Sequence, residues 1–223
     1  MYKVMQWQDR ISQHLELTGN RDRLMRGLMF TARLVGLLAP SHKPAADAVA
    51  LAMTDGVRLQ RQFRWLMFAR SFGDELGKAR RAKTPAETAA GVLATAQSAG
   101  LCGFLLLDQL VFVSRLGLLK LSAEDRLLLA SLRCWAVSVL ARLLLDLLSL
   151  ARFHAQPRPQ GKESLLSLPA SRPLLLSLAR SLSYLPSAHA YLLPSRAAHP
   201  VFLNSTALLA ILIDLYISFS SSP

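Results

Sequence analysis

Five histidines, two cysteines and fourteen acidic side chains are all that this chain offers for metal, nucleophilic or acid–base chemistry. The histidines stand at positions 14, 42, 154, 189 and 199, with no spacing that brings ligands onto one helix face. His189 and His199 lie ten residues apart in a Pro-rich stretch, which does not build a metal site. Cys102 and Cys134 sit in apolar surroundings and read as buried free thiols. The acidic residues do not pair as a general acid and base would. No Gly-rich phosphate loop follows a strand, and no Gly-x-Ser-x-Gly elbow is present. We therefore expect no enzyme, no metal and no cofactor.

What the chain does repeat is arginine beside large apolar residues. Leu24, Leu28 and Val35 recur near helical spacing, and Arg23, Arg26 and Arg33 fall on the opposite arc. Leu59, Phe63, Leu66 and Met67 form a second stripe, with Arg58, Arg61 and Arg64 outside it. Arg80, Arg81 and Lys83 then close a basic cluster. The chemistry of such a pattern is contact with phosphate on one side and with acyl chains on the other. The net charge is +12 over 223 residues, and residues 1–83 alone carry 15 Lys/Arg against 7 Asp/Glu. Phosphate on nucleic acid would also answer a basic surface. That reading leaves the apolar stretches downstream without a purpose, so lipid is expected and nucleic acid is not.

The elements that must hold these stripes are helices, and no convincing strand alternation occurs. Apolar residues make up 52% and charged residues 18% of the chain, with a mean hydropathy of +0.31. A soluble domain carries roughly 25% charge. Residues 1–39 read as helix broken near Thr18-Gly19-Asn20, with Asn20 as an N-cap and Pro40 and Pro44 as terminators. Residues 45–83 read as one long second helix. Residues 89–113 contain one charge, Asp108, over about the length that crosses a bilayer. Residues 123–150 read as an apolar helix with a narrow polar stripe at Ser131, Ser138, Arg142 and Ser149, either a helix-packing seam or a pore lining. A Pro-rich linker, a short helix at Leu174–Leu185 ended by Pro186, and an apolar span at 201–219 complete the chain.

The expected organisation is thus an all-α integral membrane protein with N-terminal amphipathic helices and about two transmembrane helices. Its parts are a basic amphipathic helical region at 1–83, a first span and flank at 84–119, an apolar helix at 120–153, a linker at 154–173, and a short helix with a C-terminal span at 174–223. Eleven Lys/Arg lie from Arg115 to Arg196, between the two spans. The positive-inside rule would keep that segment cytosolic, against two spans with both ends cytosolic.

Several runs resemble the peroxisomal biogenesis factor 11 (peroxin eleven) family. Thr18-Gly19-Asn20-Arg21-Asp22-Arg23-Leu24-Met25-Arg26 is similar to its opening helix, and Phe30-Thr31-Ala32-Arg33 fits the motif that follows. The run from Thr54 to Arg64 resembles its arginine-rich helix. Leu107-Asp108-Gln109-Leu110-Val111-Phe112-Val113-Ser114-Arg115-Leu116-Gly117 is similar to its Asp-containing span ending in Arg-x-Gly, with Asp108, Arg115 and Gly117 as the motif residues. The run from Phe202 to Ile213 fits the closing segment, although the family usually has Gly near Asn204. Residues 150–200 match only in kind.

The resemblance implies a protein of the peroxisomal or glycosomal membrane that elongates and tubulates the organelle ahead of division. It also implies self-association, a fission machinery as partner, and delivery by a peroxisomal membrane-protein import receptor. From the residues we expect Arg23, Arg26, Arg33, Arg58, Arg61 and Arg64 to meet the head groups of an anionic lipid membrane. Leu24, Leu28, Val35, Leu59, Phe63, Leu66 and Met67 would insert, with the helices at 20–39 and 48–70 lying in the cytosolic head-group layer. The alternative is an oligomeric channel for small metabolites, lined by the Ser131–Ser149 stripe with Asp108 and Asp214. A soluble helical adaptor is a third, weaker fit.

Overall fold

A computed structural model describes residues 21–155, 172–193 and 199–220, and among them every regular element is helical. Helix α1 covers 21–38; the Asn20 cap lies outside the described residues. A single 3-10 turn at Pro40–His42 reverses the chain into α2, Lys43–Gln60, with Pro44 in its first turn, where no backbone donor is lost. The two helices are antiparallel and close, because small residues face each other. A Cβ on Gly36 would lie 3.2 Å from Ala46 Cβ, and one on Gly56 would lie 3.0 Å from Met25 Cε.

The long helix expected over 45–83 is two helices. The chain breaks at Arg61–Phe63, and α3 runs Arg64–Arg81. Phe63 adopts φ 62, the left-handed region, which costs a bulky residue roughly 1–2 kcal/mol. Neither Gly nor Asn marks the break. After Ala82, a capping box between Thr84 and Glu87 starts α4, Pro85–Arg115.

Helix α4 is about 46 Å long by its 31 residues. A turn with Gly117 at φ +75 leads into α5, Glu124–Ala155. Helix α6, Arg172–Leu192, continues six residues past Pro186, where the sequence suggests an end. The extension is held by packing: Ala188 is fully buried with Ala136 and Val139, and Trp135 meets the rings of Tyr184 and Tyr191 edge-on at 5.7 and 6.0 Å. Helix α7 spans Pro200–Ser220.

Neighbours in sequence pack as neighbours in space, α3 on α4, α4 on α5, α5 on α6 and α6 on α7. The pairs run antiparallel. Arg152 near the end of α5 bonds the carbonyl of Ala86 at the start of α4, Ser177 meets Asp146, and Arg172 meets Tyr216. Helix α1 then returns to α7, where Gly27 lies against Ile211 and Arg23 donates to Ser218 at 3.0 Å. Helix α1 is thus seated along the last described helix.

Size and burial are inverted relative to a soluble bundle. The buried apolar residues are mostly Ala and Val, whereas many Leu and Phe side chains lie outside. Glycines carry the inner contacts. A Cβ on Gly91 would stand 2.7 Å from Ala79 Cα, and one on Gly100 would stand 2.7 Å from the Cys134 carbonyl. Close small-residue seams with large aliphatics outward are how helices associate when lipid is the solvent. Three helices among the described residues are long and apolar enough to cross a membrane: α4, α5 and the Pro200–Ser218 part of α7. That is one more than the sequence expectation, the addition being α5.

Candidate membrane-facing surface

The seven apolar residues expected to insert divide cleanly by exposure. Leu24, Leu28, Val35, Leu59, Phe63 and Leu66 are all exposed, from 44% at Val35 to 67% at Phe63. Met67 is half-buried. Leu37, Leu38, Val49 and Leu51 extend the same outward apolar surface around the α1–α2 hairpin. A groove of about 460 Å³ between the two helices is lined by Leu28, Val35, Ala46, Val49 and Met53, with His42 near the turn.

The arginines need correction. Of the six expected to meet head groups, Arg26, Arg58, Arg61 and Arg64 turn inward to carboxylates. Asp22, 2% exposed in the first turn of α1, is the hub. Its Oδ1 accepts from Arg61 Nε at 2.8 Å, and its Oδ2 lies 3.1 Å from Arg26 Nη2 and 3.4 Å from Arg64 Nη1. Arg58 Nε donates to Asp108 Oδ1 at 3.3 Å, with Asp55 3.7 Å away on its other side. Arg61 also lies over the Phe104 ring. Helical periodicity identifies a polar face but not its direction; here carboxylates on α1 and α4 draw that face inward. Arg33 remains exposed, beside the Phe30 ring, and Arg23 is half-buried at Ser218.

The break between α2 and α3 lies inside this cluster: Arg61 and Arg64, on either side of Phe63, both reach the Asp22 carboxylate. Burial by itself raises the Asp22 carboxyl, but Arg26, Arg61 and Arg64 together hold it below the usual carboxylate range. Burial pulls the Arg61 and Arg64 guanidiniums below the usual arginine range, and Asp22 opposes that shift.

Asp108, the lone charge of the first span, is 5% exposed and answered by Arg58. A carboxylate at a span centre costs about 2.5–3.5 kcal/mol on insertion scales. A partner and a second bond, from Gln109 Nε2 to the Arg58 carbonyl at 3.0 Å, anchor the end of α2 to α4. Arg115 does something else: it pairs with Glu124 across the α4–α5 turn. Gly117 supplies the positive φ that this turn needs, and Leu118 N–H caps the Val113 carbonyl at 3.2 Å.

The polar stripe of α5 is a packing seam. Ser131 and Ser138 are buried, and Ser138 faces Gly100 of α4. Arg142 and Asp146 face α6, where Asp146 accepts from Ser177 at 2.9 Å and Ser181 at 2.7 Å. Asp214 accepts from Arg180 at 3.0 Å and Tyr184 at 3.3 Å. Asp108 and Asp214, offered above as pore-lining groups, are thus engaged inside a single chain. Sequence reasoning missed Asp22 as a hub and Ser177 and Ser181 as a clamp. The available signals were Asp22 four residues before Arg26 and the i, i+4 serine pair. Among the described residues, no three His, Cys, Asp or Glu side chains gather as a metal site would require.

Long apolar helices, glycine seams, outward aliphatics and inward ion pairs define an all-α integral membrane protein. A family model, peroxisomal biogenesis factor 11 (PEX11), matches residues 9–194, and the chain belongs to that family. Membership carries a role in peroxisome biogenesis and association with the peroxisomal membrane. No curated protein and no solved structure matches the chain.

Proposed function

We propose that this protein elongates and tubulates the peroxisomal membrane ahead of organelle division, by seating the α1–α2 hairpin in one leaflet beside its membrane-crossing helices. The observation that carries this is the outward row Leu24, Leu28, Val35, Leu59, Phe63 and Leu66 over an inward charge network. Full burial of such side chains contributes about 1.5–3 kcal/mol each, so six half-exposed ones supply roughly 5–10 kcal/mol. Arg33, Arg70, Arg80 and Arg81 remain exposed for head groups, at about 1 kcal/mol each near an anionic surface. Apolar insertion therefore dominates and salt weakens binding only in part. Extra area in one leaflet bends the sheet.

Helix α6 is not one of the three helices apolar enough to cross by length and composition, but its antiparallel place between α5 and α7, with Arg180 neutralised by Asp214, supports a four-crossing topology. The α3–α4 turn and the end of α7 then share one side. The basic residues after α4 are divided between the two sides, which removes the conflict with the positive-inside rule. Self-association, recruitment of a fission machinery and delivery by a membrane-protein import receptor follow as proposals from the family, and we propose no catalytic role. The test of function is the full-length protein in anionic vesicles. Wild type should draw tubules, and a variant with Leu24, Leu28, Phe63 and Leu66 changed to Gln should not. Equal tubulation by both would sink the proposal. For topology, protease should treat tags after Lys83 and after Pro223 alike and a tag after Leu119 oppositely.

A further inference from the structure

The Asp22 cluster holds more positive charge than it answers. Three guanidiniums, from Arg26, Arg61 and Arg64, converge on one carboxylate. Asp22 Oδ2 is shared among all three, with Arg61 Nη2 at 3.5 Å in addition to the contacts above. Asp214 and Tyr184 act on Arg26, and Asp108 acts on Arg61, but the direct ion pairs of Asp108 and Asp214 are with Arg58 and Arg180. By direct contact among the described residues, three guanidiniums share one carboxylate. Each guanidinium brings five donors, and one carboxylate offers about four acceptor sites. The shortage is visible: Arg26 Nε and Arg64 Nε are buried with no hydrogen-bond partner.

Holding like charges together away from water is costly, and a simple staple would need one arginine. Phe63, in the left-handed region, stands between Arg61 and Arg64 within the cluster. The cluster is not sealed. The Arg26 and Arg64 side chains are 22% and 21% exposed, and the exposed Leu24, Phe63 and Leu66 belong to the same segments.

We propose that this cluster is a binding site for a phosphate group, entered from the open side of Arg26 and Arg64. A phosphate monoester brings roughly −1.5 to −2 charge and three acceptor oxygens, which answers the positive excess in sign and supplies the missing acceptors. Guanidinium forks suit phosphate oxygens better than a point cation does. The phosphate is that of a lipid head group, whose acyl chains meet the neighbouring apolar residues; free inorganic phosphate presents the same chemistry. The inference rests on the membrane-bound reading above, but it adds a defined site to what is otherwise diffuse attraction.

The test uses full-length protein in a neutral detergent, with short-chain phosphatidic acid as probe and native mass spectrometry with thermal shift as readouts. Wild type should retain one phosphatidic acid per chain and be stabilised by it. Arg64→Gln should weaken binding about tenfold or more, the loss of a charged hydrogen bond. Arg70→Gln, the same charge change on exposed α3, should alter it less than about twofold. Arg26→Gln repeats the test should Arg64→Gln fail to fold, and Asp22→Asn should strengthen binding by removing the competing carboxylate. Competition by inorganic phosphate marks the free ion as a ligand, and its failure to compete marks the head group; either supports the site. Equal losses in Arg64→Gln and Arg70→Gln, or no retained lipid in wild type, would overturn it. Tubulation of vesicles by a protein that retains no phosphatidic acid would leave the functional proposal standing and remove only this one.

Discussion

The Arg58–Asp108 pair gives the sharpest test of the architecture. The two side chains are 7% and 8% exposed and 3.3 Å apart, joining α2 to a membrane span. Removing one partner of a buried pair typically costs 3–5 kcal/mol, because the survivor stays buried and unanswered. The two single changes should not cost the same. After Asp108→Leu, Arg58 still has Asp55 at 3.7 Å, so the loss should be near 3 kcal/mol. After Arg58→Leu, Asp108 loses its one direct ion pair among the described residues and keeps only the longer-range attraction of Arg61, so the loss should approach 5 kcal/mol. Removing both charges leaves two apolar side chains facing across the seam, and the double variant should fall within about 2 kcal/mol of wild type. The coupling energy is then roughly 5 kcal/mol or more, far above the few tenths seen for independent sites. Unfolding of the purified full-length protein in mixed micelles, followed by helical circular dichroism, measures all four corners. Additive single changes would refute the claim that Arg58 is there for Asp108.

Other expectations follow from the same packing. Gly100→Ala puts a methyl group 2.7 Å from the Cys134 carbonyl and 3.0 Å from Ser138 Cβ, and should destabilise by about 1–3 kcal/mol. Gly73→Ala meets nothing within 4 Å and should stabilise α3 by about 0.5–1 kcal/mol in the same unfolding assay. Phe63→Gly relieves the left-handed strain and should raise stability in micelles by up to about 1 kcal/mol, while vesicle co-sedimentation falls because a 67% exposed aromatic is gone. Arg26, Arg61 and Arg64 hold the Asp22 carboxyl below the usual carboxylate range against the opposing effect of burial, so its contribution is complete above the ordinary carboxylate range and lost as the pH falls through the lowered folded value. Thermal melts should show a loss in that acid range which Asp22→Asn no longer shows.

The first and last spans were legible because length and near-absence of charge are properties of a segment by itself. Pro40 and Pro44 marked the first reversal for an equally local reason. The direction of the arginines was not legible. An arc of Arg26 and Arg33 opposite Leu24 and Leu28 is the same pattern whether the arginines face water or a buried Asp22. The break at Phe63 had no local signature either, since neither Gly nor Pro stands there. Pro186 misled in the other direction: a missing donor matters less than the packing of Ala188 beneath Trp135. Asp108 was noticed as the odd charge in a span, yet its answer lay fifty residues away in Arg58.

The seat of α1 on Ile211 and Ser218 sets an order of events during synthesis. Helix α1 can pair with α2 as soon as both exist, but its contact with α7 forms only after every described helix between them has been made. The two outermost described helices thereby close the row on itself.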